Sequence, residues 1–200
     1  MIKILFLGDV SYLDERSISR LSDSYSRLVI RLNTEDEFEN KLKDETQVGI
    51  EINIRNFHEL TIQIMDFEPD LIVYFSPLLT AKQTTKDVEL LDIVYIEIIE
   101  HLMEVMQVSN SKLYFISTDQ VFSQKNSNEK SPLDPITDIG QLLVMSEQLV
   151  VRNLHNTVIR IGNEKPLETL FSWYSHDKLL DLILDIYRKN FAGIIHYTPK

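Results

Sequence analysis

Residues 2–8, Ile2-Lys3-Ile4-Leu5-Phe6-Leu7-Gly8, decide the fold class. A nearly unbroken apolar and β-branched run closed by a glycine fits a strand buried on both faces and ended by a turn; a half-exposed strand would alternate. Two further runs read the same way. Leu71 to Phe75 follows the turn Glu68-Pro69-Asp70, and Lys112 to Ser117 follows the polar loop Ser109-Asn110-Ser111. A helix is expected from about Ser17, a long one over about 85–108, and another over about 137–153, after the loop 123–134. Asn156 to Ile161 predicts a further strand, His176 to Lys189 an amphipathic helix and Gly193 to Tyr197 a last short strand. Strands that alternate with helices build βαβ units with right-handed crossovers. The predicted class is therefore α/β, a doubly wound and mostly parallel sheet with helices on both faces.

Composition bounds the function. A chain of 200 residues with 44% hydrophobic content can bury one sizeable core, so a single domain over 1–200 is expected. There is no cysteine, which excludes disulfides and thiolate metal sites. The start is too short and too strand-like for a signal peptide, and no apolar run is long enough to span a bilayer, so a cytoplasmic protein with no membrane partner is expected. With 31 acidic against 20 basic residues and a formal net charge of -11, the attraction that drives nucleic-acid binding is missing. The acidic stretch from Glu35 to Glu45 reads as a solvated face, because Asn40, Lys41 and Lys43 interrupt its carboxylates. The five histidines, at 58, 101, 155, 176 and 196, show no metal-ligand spacing and no nucleophile beside them, so no metal site is expected.

The long helix carries Val88, Leu91, Val94, Tyr95, Ile98, Ile99, Leu102, Val105 and Met106 on a broad apolar face, with Ile93 and Ile96 beyond it. One sheet face does not obviously cover so much. Two readings stay open: deeper burial within the chain, or an interface with a second chain, such as a homodimer through the 85–108 helix.

Four segments, in this order and spacing, carry a family resemblance: Pro69-Asp70-Leu71-Ile72-Val73, Phe115-Ile116-Ser117-Thr118-Asp119-Gln120-Val121-Phe122, Ser131-Pro132-Leu133-Asp134-Pro135 and Ser146-Glu147-Gln148. Together they resemble the dTDP-4-dehydrorhamnose reductases, extended short-chain dehydrogenases that bind NAD(P) on a Rossmann domain and reduce a keto group of a nucleotide sugar. The Ser-Thr-Asp-x-Val-Phe run is its specific part. The resemblance covers most of 1–162, the expected Rossmann-like core, and more faintly 176–197. It implies that 163–200 is a shortened remnant of the substrate-domain region, with most of that lobe missing.

Carried over residue by residue, the resemblance implies degenerate machinery. The Gly-x-x-Gly-x-x-Gly turn of the family falls on Gly8, Ser11 and Asp14, so only its first glycine is present, and Asp14 brings a carboxylate toward the helix end that should hold an anion. The small Asn-Ala-Ala turn of the family aligns with Tyr74-Phe75-Ser76, whose rings are expected to fill the groove from within. Of the implied catalytic Thr or Ser, Tyr and Lys, only Thr118 remains; Ile139 and Leu143 occupy the other two positions. Reduction of a carbonyl needs a proton donor at the forming alkoxide, and a nearby cation lowers the pKa of that donor. Isoleucine and leucine supply neither.

No catalytic residue is therefore assigned, with Thr118 and Asp119 as vestiges, and the cofactor-binding candidates are Gly8, Ser11, Ser76 and Thr118. For Gly8 the plain tight-turn reading stands beside the phosphate-cradle one. Trp173 and Tyr174, beside Phe171, are expected to cap the vacated cleft. The leading expectation is an inactive homologue that acts as a regulatory or scaffolding partner of another protein. The alternative is a protein that keeps a pocket for NAD(P) or a nucleotide sugar around Gly8, Ser11, Ser76, Thr118 and Asp119. No cofactor is expected under the first reading, and NAD(P) if any.

Overall fold

The computed structural model describes residues 1–9, 18, 21, 24–33, 49–76, 88–124, 127, 129–162 and 176–197. Strand β1 (Ile2–Gly8) lies in the interior of the sheet, and its alternate side chains explain the unbroken apolar run. Leu5 and Leu7 join one core, Ile4 and Phe6 the other. The remaining strands are β2 (Tyr25–Asn33), β3 (Ile50–Asn53), β4 (Leu71–Phe75), β5 (Lys112–Thr118), β6 (Thr157–Ile161) and β7 (Gly193–Tyr197). They form one seven-stranded sheet in the order β3-β2-β1-β4-β5-β6-β7, and every described pairing is parallel. The direction of strand addition reverses between β1 and β4, so that pair is the topological switch point.

On one face lie α1 (Phe57–Phe67), a helical run made of α2 (Val88–Asp92), a π-helical segment (Ile93–Glu97) and α3 (Ile98–Ser109), and then α4 (Asp138–Val151). On the other, α5 (His176–Arg188) packs Leu179, Leu180, Ile183, Leu184 and Ile186 against Ile4, Val73, Tyr114 and Ile159. The doubly wound α/β class read from the sequence is the one observed, with a wholly parallel described sheet.

Three elements were not assigned from the sequence. In β2, Arg27 and Arg31 interrupt the apolar run at an exposed and a half-buried position, and β3 is only four residues long. Helix α1 carried a usable signal: Asn56 accepts the Glu59 backbone N–H at 3.1 Å as an N-cap, and Leu60 and Ile64 follow one turn apart on the buried side. Of the helix expected from about Ser17, only Ile18 and Leu21 are described, both in the second core.

Much of the wide apolar face of the long helix is buried within this chain. Leu91, Ile93, Val94, Tyr95, Ile98, Ile99, Leu102, Val105 and Met106 are all buried within this chain, and α1 and α4 pack beside them. Ile96 is only partly buried, and Val108 at the end of the helix is exposed. A π-helical turn frees backbone carbonyls, and two are taken up here by side chains. The Tyr74 hydroxyl donates to Val94 O at 2.6 Å, and Ser146 Oγ lies 2.5 Å from Tyr95 O and 2.8 Å from Leu142 O. No described helix is long and apolar enough to cross a membrane.

Candidate functional site

Three neighbouring strands, β1, β4 and β5, bring together at their C-terminal ends most of the residues singled out in the sequence. Gly8 pairs with Phe75, and Phe75 with Ile116, so Gly8, Ser76 and Thr118 all lie at the C-terminal edge of these strands, Ser76 one residue and Thr118 two residues beyond the last paired positions. Ligands of open α/β sheets bind in this crevice. Ser11 and Asp14 lie outside the described residues, as do Phe171, Trp173, Tyr174 and the acidic stretch 35–45.

Gly8 is glycine for a local reason. Its φ is +101°, and a Cβ there would stand 1.9 Å from Phe75 O and 3.1 Å from Tyr74 Cε2. The following amide, on Asp9, donates to the same Phe75 carbonyl at 3.0 Å. The close approach of Gly8 is thus directed at the adjacent strand, which supports the tight-turn reading. Of a dinucleotide cradle the described residues supply that turn alone, so no chemical step is derived through NAD(P).

The rings of Tyr74 and Phe75, expected to fill the groove, diverge as strand geometry requires, with the Tyr74 ring lying against Gly8. Successive side chains of a strand point to opposite faces, and the two rings enter opposite cores: Tyr74 stacks on Phe115 at 5.9 Å, while Phe75 joins the α5 side. Both are fully buried. The first residue at the edge is Ser76, 8% exposed.

Thr118 ends β5 and accepts the Gln120 backbone N–H at 3.3 Å, capping the short 3-10 turn Asp119–Val121. Asp119 is half-buried in that turn. The N-terminus of α4 packs directly on it: Thr137 Oγ1 accepts the Gly140 N–H at 3.0 Å, and a Cβ on Gly140 would meet Gln120 O at 2.4 Å. On this helix Ile139 is half-buried, and Leu143, 2% exposed, sits in the core. The positions where the resemblance implies a proton donor and a cation are hydrocarbon.

One turn further, α4 carries the most polar part of the interior. Glu147 accepts from Ser117 Oγ at 2.6 Å and from the Arg160 fork, Nε at 2.9 and 3.1 Å and a terminal nitrogen at 2.6 Å. Both charged side chains are 2% exposed. The Arg160 guanidinium also lies 5.1 Å from the centre of the Phe122 ring, whose other neighbour is the His196 ring at 6.0 Å. This network ties β5, α4 and β6 together beside Thr118, and sequence reasoning missed it. Ser117 and Glu147 had been quoted only as carriers of a resemblance, and nothing local to Arg160 marks it as buried.

The loop after β5 is held by two further carboxylates. Asp134 accepts from both the backbone N–H and the hydroxyl of Ser123, and these bonds, the hydroxyl first, keep its pKa below the ordinary value. Glu129 accepts its own backbone N–H and that of His196, the latter at 2.7 Å, and its pKa is lowered by those bonds. No group of three or more potential metal ligands occurs among the described residues.

No family model matches the sequence, and no curated protein matches it. Solved structures do. A hypothetical dTDP-4-dehydrorhamnose reductase from Sulfolobus tokodaii superposes with a TM-score of 0.74 at 20% identity, covering 100% of this chain and 77% of that one. The dTDP-4-dehydrorhamnose reductase of Bacillus anthracis, solved with NADP, gives 0.72 at 16% identity over 100% and 76%. The Bordetella bronchiseptica enzyme WbmH, solved with NAD+, gives 0.72 at 12% identity over 98% and 76%. The chain has the Rossmann-like fold of these proteins, two of which were solved with a dinucleotide.

Proposed function

We propose that this protein is a noncatalytic relative of the nucleotide-sugar reductases that acts in the cytoplasm by binding, as a regulatory or scaffolding partner in nucleotide-sugar or cell-surface polysaccharide metabolism. The pathway rests on analogy of fold. The observation that carries the loss of chemistry is Leu143, buried in the core at the position where the resemblance implies a lysine, with Ile139 one turn before it. The proposed recipient of its action is another protein chain, or a second copy met through what the 85–108 helix leaves exposed, such as Val108. The test is direct. Purified protein is mixed with NADH or NADPH and a 4-keto sugar nucleotide, and nicotinamide absorbance is followed. No turnover above buffer is expected; turnover that disappears in Thr118→Val overturns the reading.

A second reading, a retained small-molecule site without the original chemistry, is favoured by Ser76 and Thr118 both lying at the C-terminal edge of the sheet beside the switch point.

A further inference from the structure

We propose that the furrow between the long helix and α4 is a docking surface for a basic amphipathic helix of another protein, one whose apolar stripe is flanked by lysines or arginines. The inference rests on the proposed reading of a protein that acts by binding, and it names the chemistry of the partner.

Two contacts fix which sides of the two helices meet. Ser146 of α4 is fully buried and donates to Tyr95 O at 2.5 Å, and Asn156, just past α4, reaches Met103 Sδ at 3.2 Å. Leu142 and Leu149 flank Ser146 one turn before and one turn after it, on the same side of α4, and Met145 lies just outside them. On the long helix, Ile96 precedes Met103 by two turns and shares its side. Ile96, Met103, Leu142 and Leu149 are only half-buried, and Met145 is 50% exposed. Past the end of α4, beside Asn156, Leu154 extends this apolar strip and is 83% exposed. An apolar strip of this spacing between two parallel helices is the kind of groove that receives a third, and its two methionines adapt to the side chains they meet.

The charge around the furrow selects the partner. Glu97, Glu100 and Glu104 are exposed and follow one another at i, i+3 and i+7, so they form an acidic ridge along the outer side of the long helix. None of them is ion-paired with a described Lys or Arg. The other wall carries Gln141 and Gln148, exposed and uncharged. Residues 88–109 and 138–151 contain no Lys or Arg, and Arg152, at the C-cap of α4, is the first cation beyond α4. A second copy docked through the same two helices would therefore offer this ridge only apolar side chains and more carboxylates, in a chain of net charge -11. Like charges across an interface oppose association, whereas cations beside an apolar stripe complement it.

The probe is a leucine-lysine peptide of about 18 residues with its leucines on one face, tested beside a leucine-glutamate peptide with the same apolar face. Calorimetry would compare wild type, Met145→Gln, the ridge triple Glu97→Gln/Glu100→Gln/Glu104→Gln and a control triple, Glu51→Gln/Glu68→Gln/Asp181→Asn, which removes the same charge from exposed positions elsewhere. All these positions are exposed, so each variant is expected to melt as wild type does. Wild type is expected to sediment as a monomer and to bind the lysine peptide alone. The ridge triple should weaken that binding about tenfold and flatten its dependence on salt, the control triple should change it less than about twofold, and Met145→Gln should weaken it severalfold. The proposal is overturned if wild type ignores the lysine peptide, if the glutamate peptide binds equally well, if the control triple costs as much as the ridge triple, or if Met145→Gln binds as wild type does. Self-association that Met145→Gln breaks would assign the surface to a second copy and overturn it too. Turnover of a keto sugar nucleotide would sink the noncatalytic reading and leave the docking surface standing; a peptide that fails to bind, without turnover, does the reverse.

Discussion

Residues 139–143 and 146–147 are neighbouring stretches of α4 on the same side of the sheet, yet they meet opposite chemical demands. Ile139 and Leu143 face the core as hydrocarbon, while Ser146 and Glu147, one turn on, are buried and fully engaged with Tyr95, Leu142, Ser117 and Arg160. The difference teaches where polarity is structurally required. Leu143 needs no partner once it is apolar. Glu147 and Arg160 cannot be separated, because either alone would be an unpaired charge away from water.

The comparison can be broken experimentally. Its largest expected effect is from Glu147→Ala, which strands Arg160 and should cost about 3–5 kcal/mol in urea unfolding. A loss below about 1 kcal/mol would mean that the guanidinium finds water, and the contrast within α4 would collapse. Leu143→Ala should cost about 2–4 kcal/mol, the range for truncating a buried leucine, with no change in any ligand titration. If instead it alters binding with little loss of stability, Leu143 lines a site and is not simply core.

The smallest effect concerns pH. Asp134 and Glu129 have lowered pKa values in the fold, so the stability they contribute is present above the unfolded carboxylate pKa and lost as pH falls through the folded one. Below about pH 4 the Ser123 and His196 backbone amides should move together in an NMR titration, while the Leu113 amide, held by Asn156 at 3.0 Å, stays fixed. Movement of all three would indicate general unfolding and remove the loop as a separate unit.

Much of the fold was legible because a strand buried on both faces leaves a continuous apolar run, and β1, β4 and β5 each have one. Strand β2 was not legible, since its two arginines occupy positions that only the finished sheet makes acceptable, and β3 is too short to show a period. The candidate site was legible in part. Thr118, Ser76 and Gly8 are brought together, yet Gly8 turns out to serve the neighbouring strand, and Tyr95 had been read only as one more apolar position on a helix.

The sequence by itself determined the class of the fold and the absence of a proton donor and cation at 139 and 143, because periodicity and side-chain chemistry are local properties. Only the tertiary structure decided that the apolar helix is covered from within, that Glu147 and Arg160 neutralise each other, and that the buried hydroxyls of Tyr95 and Tyr114 are left without a partner among the described residues. Those depend on which distant segments meet, and pairing across the sheet, not the identity of any single residue, sets that.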